Sequence, residues 1–141
     1  MANNTDDNWP IYRYSEVLLF LAESLNEQGK SVEALPYLNQ VRIRAGLAPS
    51  VEVSQTLLRD VIDHERRIEL AFENKRWHDL VRTNKAIQVM NTYGATLKAS
   101  GIYPNLTTDS YIVTSKHLLY PIPNRERTIN IKITQNPGYL F

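Results

Sequence analysis

The stretch that decides the fold runs from Glu65 to Arg82 and reads ERRIELAFENKRWHDLVR. Its apolar residues recur with the period of an α-helix, and charged residues stand between them. Because a buried carboxylate or guanidinium needs a partner, the charged members must be paired if the apolar members are buried. The stretch therefore predicts helix whose charges are fixed by ion pairs. The members expected to be buried are Ile68, Leu70, Ala71, Phe72, Trp77, Leu80 and Val81.

Two helices joined by a short turn are predicted ahead of this stretch, in residues 11–29 and 31–46. Gly29 and Gly46 end them, because glycine readily takes the left-handed conformation found after a helix, and Ser31 caps the second. Two helices over about 34 residues match one tetratricopeptide unit. We therefore predict a tetratricopeptide-like hairpin over residues 11–46. Its inner faces are expected to carry Tyr14, Leu18, Leu21 and Leu25 on the first helix and Leu35, Leu38, Val41 and Ala45 on the second.

Residues 54–93 are predicted to form further charged helices. Ser54 caps the first of them and Asn74 breaks it. A short helix then covers residues 76–82, and another covers residues 86–92 ahead of Gly94.

Residues 94–141 are predicted to form a loop and an extended tail. Ser, Thr, Gly, Pro and Asn dominate the beginning of this region, and such residues favour turns. Pro121 and Pro123 flank a short apolar run and confine it to an edge. The predicted fold class is mostly α, a single domain over residues 1–141 with an irregular C-terminal segment.

Composition excludes several functions. The formal net charge is +1 and there is no basic run, so nothing indicates nucleic-acid binding. Cysteine is absent, which removes disulfides, thiolate metal sites and a cysteine nucleophile. No segment has the eighteen or so apolar residues of a membrane helix. His64, His78 and His117 lack metal-binding spacing, and no glycine-rich phosphate loop occurs, so we expect no metal, no cofactor and no catalytic residue.

Glu65 and Glu69 lie one helical turn apart, with Cβ atoms about 5–6 Å from each other. Two carboxyl groups at about 5–5.5 Å serve a retaining glycosidase, which is one interpretation. We favour the other, a structural charge lattice that ties the hairpin to the third helix, because arginines outnumber these two carboxylates. The lattice is predicted to comprise Arg13, Arg42, Glu65, Glu69 and Arg76.

Aromatic residues supply the candidate ligand contacts. Tyr103 and Tyr111 lie in or beside the predicted loop, and a tyrosine offers an apolar face and a hydroxyl group to a polyol. Trp9, just before Pro10, is a further candidate. Trp77 could stack on a sugar, but its helical spacing with its neighbours favours a place in the core.

Taken in order, several pieces of the chain resemble the C-terminal part of the SusD/RagB family of outer-membrane nutrient-binding lipoproteins. They span nearly the whole chain in the order of the family. The pieces are Arg13–Leu19, Ala22–Asn26, Ala34–Arg42, Arg44–Leu47, Glu65–Arg82, Leu119–Pro123, Arg125 with Glu126, Asn130 and Gln135–Tyr139.

The resemblance implies a non-catalytic protein at the outer surface of the outer membrane, which captures a glycan or other nutrient for polysaccharide utilisation. It implies a TonB-dependent transporter barrel (SusC-like) as the partner. The glycan platform of the family lies mainly upstream of the residues present here. Family members are several times longer and begin with a signal peptide and a lipid-accepting cysteine, so we expect this chain to be a C-terminal piece of a longer protein. The alternative is a helical protein–protein interaction module that does not itself bind a glycan.

Overall fold

The structure is a computed structural model that describes residues 11–139. All regular elements among these residues are helical, and none is a β-strand, which confirms the predicted mostly α class. The chain divides after Arg76 into two compact units. No helix of the described residues is both long enough and apolar enough to cross a membrane. The elements are α1 (Tyr14–Glu27), α2 (Ser31–Arg44), α3 (Gln55–Glu69), α4 (Arg76–Arg82), α5 (Ala86–Ala99), a 3-10 helix (Ser115–Leu118) and α6 (Asn124–Ile129).

The turn between α1 and α2 forms as the sequence predicts. Gly29 has a φ of 77°, which an L-residue with a side chain rarely adopts. Its amide donates to the carbonyl of Asn26 at 2.9 Å, and the amide of Lys30 donates to the carbonyl of Leu25 at 3.0 Å. These two bonds are the Schellman pattern that closes a helix C-terminus. Ser31, predicted as the cap of α2, is instead its first helical residue.

The core of the first unit lies where α1 packs against α2 and α3. Ala22 and Ala34 are fully buried, and their small side chains let α1 and α2 approach closely. The buried residues on α1 are not the predicted stripe: Tyr14 and Leu21 are exposed, as is Ala45 at the end of α2. The apolar residues of α1 cover most of its circumference, so the pattern could not define which side faces inward. The core consists of Leu18, Leu19, Ala22, Ala34, Leu38, Val41, Leu58 and Ile62.

A buried amide fixes the end of α1 to the start of α3. The Asn26 side chain is fully buried, and its Nδ2 donates to the carbonyl of Gln55 at 2.9 Å. Its Oδ1 accepts from the Ser31 hydroxyl at 2.8 Å. Gln55 Nε2 returns a bond to the carbonyl of Asn26 at 2.7 Å. The Asn26 side chain therefore connects the end of α1 to the first residues of α2 and α3, and both of its buried polar atoms are hydrogen-bonded.

The expected burial of Ile68, Ala71 and Phe72 was wrong. Ile68 is 57% exposed and Phe72 is fully exposed, while Leu70 and Leu80 are buried as expected and Trp77 and Val81 are half-buried. Ala71 and Phe72 are exposed because α3 ends at Glu69, five residues before Asn74. Phe72 and Asn74 then have φ angles of 66° and 58°. The left-handed backbone takes Phe72 out of the helical register on which the prediction depended.

In the second unit, α4 has the predicted bounds, but α5 does not end before Gly94. It continues to Ala99, and Gly94 is buried inside it. The predicted loop and tail over residues 94–141 also contain the 3-10 helix and α6. A glycine is needed at position 94 because Tyr111 packs closely against it. Gly94 therefore does not mark the end of a helix.

Side chains replace a strand ladder in the C-terminal part. Pro121 and Pro123 have no amide hydrogen, which prevents regular pairing of this segment. Gln135 instead acts as a backbone substitute: its Oε1 accepts from the amide of Ile122 at 2.7 Å, and its Nε2 donates to the carbonyl of Ile122 at 3.0 Å. The Tyr139 hydroxyl donates to the carbonyl of Leu119 at 2.8 Å. The segment is extended, as predicted, and held by these contacts.

Candidate functional site

Glu69 is the centre of a charge cluster in the first unit. Its side chain is 8% exposed, and Oε1 accepts from Arg13 Nη1 at 2.6 Å. Arg44 Nη2 bonds both carboxylate oxygens. Arg13 also donates from Nε to Glu73 at 2.8 Å. Because Arg13 precedes α1, Arg44 ends α2 and Glu69 ends α3, this cluster joins one end of each helix.

Two further ion pairs extend from α3. Arg42 Nη1 lies 2.7 Å from Glu65 Oε2 and so joins α2 to α3. Arg76 Nη1 lies 2.7 Å from Asp63 Oδ1. The structure thus brings four of the five predicted lattice residues into two Arg–Glu pairs. It places the fifth, Arg76, against an aspartate that the sequence reasoning missed.

A second charge cluster, on the inner side of α1, was not predicted. Glu16 and Arg66 are each 2% exposed, with Glu16 Oε1 at 3.6 Å from Arg66 Nη2. Lys75 Nζ lies 3.1 Å from Glu16 Oε2, and the Arg66 guanidinium lies 4.2 Å from the centre of the Phe20 ring. The signal was present in the sequence, because Glu16 directly precedes the apolar run that begins at Val17. Only the three-dimensional packing shows that it is buried.

The geometry does not suit Glu69 to the role of a general acid. A general acid in a glycosidase needs a raised pKa so that it carries a proton near neutral pH. Burial acts in that direction on Glu69, but hydrogen bonds from Arg13 and Ser15 and the charges of Arg13 and Arg44 outweigh it and lower the pKa of Glu69. Glu65 and Glu69 are both held by arginines. For Glu69, these contacts stabilise the charged form.

The histidines occupy separate environments. His64 and His78 are exposed, and His117 Nδ1 accepts from the amide of Thr114 at 2.9 Å in a capping arrangement. Within residues 11–139, no three His, Asp or Glu side chains cluster in a way that could hold a metal ion.

Two surface grooves lie in the first unit. The smaller, of about 310 Å³, is lined by residues of α1 and α2 that include Arg13 and Arg44. The larger, of about 760 Å³, lies along α3. Both combine apolar walls with charged residues that already have partners. The larger groove is lined by Arg42, Leu47, Ser50, Glu52, Leu57, Asp60, Val61, His64, Glu65 and Ile68.

The tyrosines proposed as ligand contacts lie in the second unit. Tyr103 is 55% exposed and Tyr111 is 46% exposed. Tyr111 has a φ of 60° and packs with its backbone against Gly94 of α5. Trp9 lies outside the described residues, so its predicted role stays a prediction.

The described residues form a helical protein in which the buried carboxylates of Glu16, Glu65 and Glu69 each have an ion-pair partner. Comparison with known proteins gives the family. The sequence profile of the SusD family matches residues 1–139, and the chain therefore belongs to that family. This confirms the resemblance inferred from the ordered sequence pieces.

Relatives and solved structures agree with this membership. The SusD-like protein P38 of Formosa agariphila is 36% identical over 143 residues, which cover 95% of this chain and 25% of that protein. The SusD-like protein P2 of the same organism is 37% identical, covering 98% of this chain and 27% of that protein. The chain thus spans about a quarter of the length of these curated relatives.

Among solved structures, a SusD superfamily protein from Bacteroides vulgatus matches with a TM-score of 0.74 and 30% identity, over 91% of this chain and 27% of that one. A SusD homolog from Bacteroides thetaiotaomicron matches with a TM-score of 0.72 and 32% identity, over 93% of this chain and 27% of that one.

Proposed function

We propose that this chain is part of a non-enzymatic nutrient-binding component of an outer-membrane uptake complex. The observation that carries the proposal is the match of the SusD family to residues 1–139. In this proposal the ligand is a glycan, and the partner is a TonB-dependent transporter barrel of the SusC type. The protein is held as a lipoprotein at the outer surface of the outer membrane.

The charge clusters support a binding role in preference to an enzymatic one. Glu69, which would have to carry a proton to act as the general acid, is held as a carboxylate by two arginines. Its lowered pKa is the opposite of what an acid catalyst needs. In the proposed function the first unit is a rigid helical support, and most of the glycan surface lies in parts of the protein outside this chain.

A second candidate, a helical interaction module without glycan binding of its own, is favoured by one specific observation. Apolar side chains remain exposed on two helices of the first unit, namely Tyr14 and Val17 on α1 and Leu57 and Ile68 on α3. Exposed apolar surface of this kind often marks a protein contact.

The proposal is tested by fractionating the producing cells and probing the fractions with an antibody raised to this chain. We expect the protein in the outer-membrane fraction, digestible by protease added to intact cells, and co-purifying with a transporter barrel after mild detergent extraction. A soluble protein without a barrel partner would contradict the proposal. A protein that co-purifies with the barrel but binds no glycan in any form would favour the interaction module.

A further inference from the structure

Residues 108–113, called here the strap, run along α5 and are fixed to it at three positions. Lys98 Nζ donates to the carbonyl of Thr108 at 2.8 Å. Asn91 is bonded twice to Val113: its Nδ2 donates to the carbonyl at 3.0 Å, and its Oδ1 accepts from the amide at 2.7 Å. The start of the strap, at Thr108, bonds Lys98 near the end of α5, and its last residue, Val113, bonds Asn91 in an earlier turn of the helix. The strap therefore runs antiparallel to α5.

The third position is a close backbone approach at Gly94. A Cβ atom placed on Gly94 would lie 2.5 Å from the Cβ of Tyr111 and 3.1 Å from its carbonyl oxygen. Real Cβ atoms do not approach others this closely, so only glycine permits the strap to lie here. Gly94 thus places Tyr111 at the middle of the strap, between the contacts of Asn91 and Lys98.

Tyr111 adopts a backbone conformation that does not suit its side chain. Its φ of 60° lies in the left-handed region, where glycine or asparagine is much less strained than an aromatic residue. The side chain of Tyr111 is also only partly packed. It is 46% exposed, and its hydroxyl forms no hydrogen bond with any of residues 11–139. The hydroxyl of Tyr139, by contrast, donates to the carbonyl of Leu119. Strain held in place by surrounding contacts is a frequent mark of a functional position.

The sequence that leads into Tyr111 has the side-chain chemistry of a polyol site. Tyr93 directly precedes Gly94 on α5 and is 54% exposed. Residues 103–111 carry two tyrosines, four uncharged side chains with hydroxyl or amide groups (Asn105, Thr107, Thr108 and Ser110) and a single charge, Asp109. A tyrosine ring offers an apolar face for the C–H face of a sugar and a hydroxyl group for its hydroxyls.

We infer that the strap on α5 is a glycan contact in which the Tyr111 ring stacks on a sugar ring. Asn91 and Gly94 are its positioning residues. This inference rests on the proposed function and adds to it a contact within this chain.

The test is Tyr111→Gly in the protein as its cells produce it, because glycine fits the observed φ. Affinity electrophoresis is run in gels containing amylopectin, laminarin, arabinoxylan or pectin, and thermal unfolding is measured in parallel. We expect a dissociation constant about five- to tenfold higher for the retained polysaccharide, with an unfolding midpoint equal to or above that of the wild type. Tyr120→Ala is the matched control, since Tyr120 is 71% exposed and lies off the strap, and its affinity should not change.

The outcomes separate the two proposals. Wild-type protein retained by a polysaccharide, with Tyr111→Gly retained equally, would overturn the strap contact and leave the proposed function intact. Wild-type protein retained by none of the four would overturn both. A lower unfolding midpoint for Tyr111→Gly together with unchanged affinity would show that the tyrosine serves packing only.

Discussion

Replacing Glu69 by glutamine tests whether the charge cluster at the helix ends stabilises the fold. Glutamine keeps the size of the side chain but removes the charge that faces Arg13 and Arg44. A hydrogen bond to a charged group contributes about 1.5–3 kcal/mol, and this range applies to the Arg13 contact because Glu69 is only 8% exposed. Arg44 is 60% exposed, so its contact adds only about 0–1 kcal/mol. We expect a loss of about 2–3 kcal/mol at pH 7, which lowers the melting temperature by about 5–10 °C in a protein of this size.

The contribution of Glu69 to stability should also depend on pH, in a direction set by its pKa. The folded-state pKa of Glu69 is lowered, so its contribution to stability is fully present above the unfolded-state pKa, about 4.3 for a glutamate. That contribution is lost as the pH falls through the folded-state pKa. The difference between wild type and Glu69→Gln should therefore be largest at pH 7 and should shrink below about pH 4.

Urea unfolding followed by circular dichroism at pH 7, 5 and 3 measures both effects. Glu33→Gln is the matched control, because Glu33 is an exposed glutamate on α2, and its replacement should change stability by less than about 0.5 kcal/mol. A stability difference for Glu69→Gln that is the same at pH 3 and pH 7 would refute the ion-pair reasoning.

Three further substitutions probe packing and local contacts. Leu38→Ala removes a fully buried side chain and should cost about 2–5 kcal/mol in urea unfolding; a loss below about 1 kcal/mol would contradict the assigned core. Gly94→Ala should lower the melting temperature, because the added Cβ would lie 2.5 Å from the Cβ of Tyr111. Helix propensity alone predicts the opposite, a gain in stability of about 1 kcal/mol. A rise in melting temperature would therefore show that the contact is absent. Gln135→Ala removes both bonds to Ile122 and should speed amide exchange at Ile122 in NMR. An unchanged exchange rate would argue against these two bonds.

The sequence predicts the helical hairpin well because its signals are local. Gly29 adopts the left-handed conformation that ends α1, and the short helix α4 has the predicted bounds. The prediction of a charge lattice around Glu65 and Glu69 followed from a simple rule, that charges on a buried helix need partners. Such inferences require only neighbouring residues and periodicity.

The remaining features depend on contacts between distant residues. Gly94 looked like a helix end, but it lies inside α5 because the strap must pass close to it. By its spacing Phe72 would continue the apolar stripe of α3. Its left-handed backbone conformation instead directs the side chain to solvent. Glu16 stands among apolar residues of α1, and only packing against Arg66 and Lys75 explains its burial. None of these outcomes can be obtained from the period of the sequence.

The measurement that tests the central claim most directly is calorimetric titration of the purified protein with a polysaccharide, followed by chromatography of the recovered glycan. The account predicts saturable heat of binding and a glycan of unchanged length after prolonged incubation. Shortened glycan products, abolished by Glu69→Gln under conditions where that variant remains folded, would contradict it.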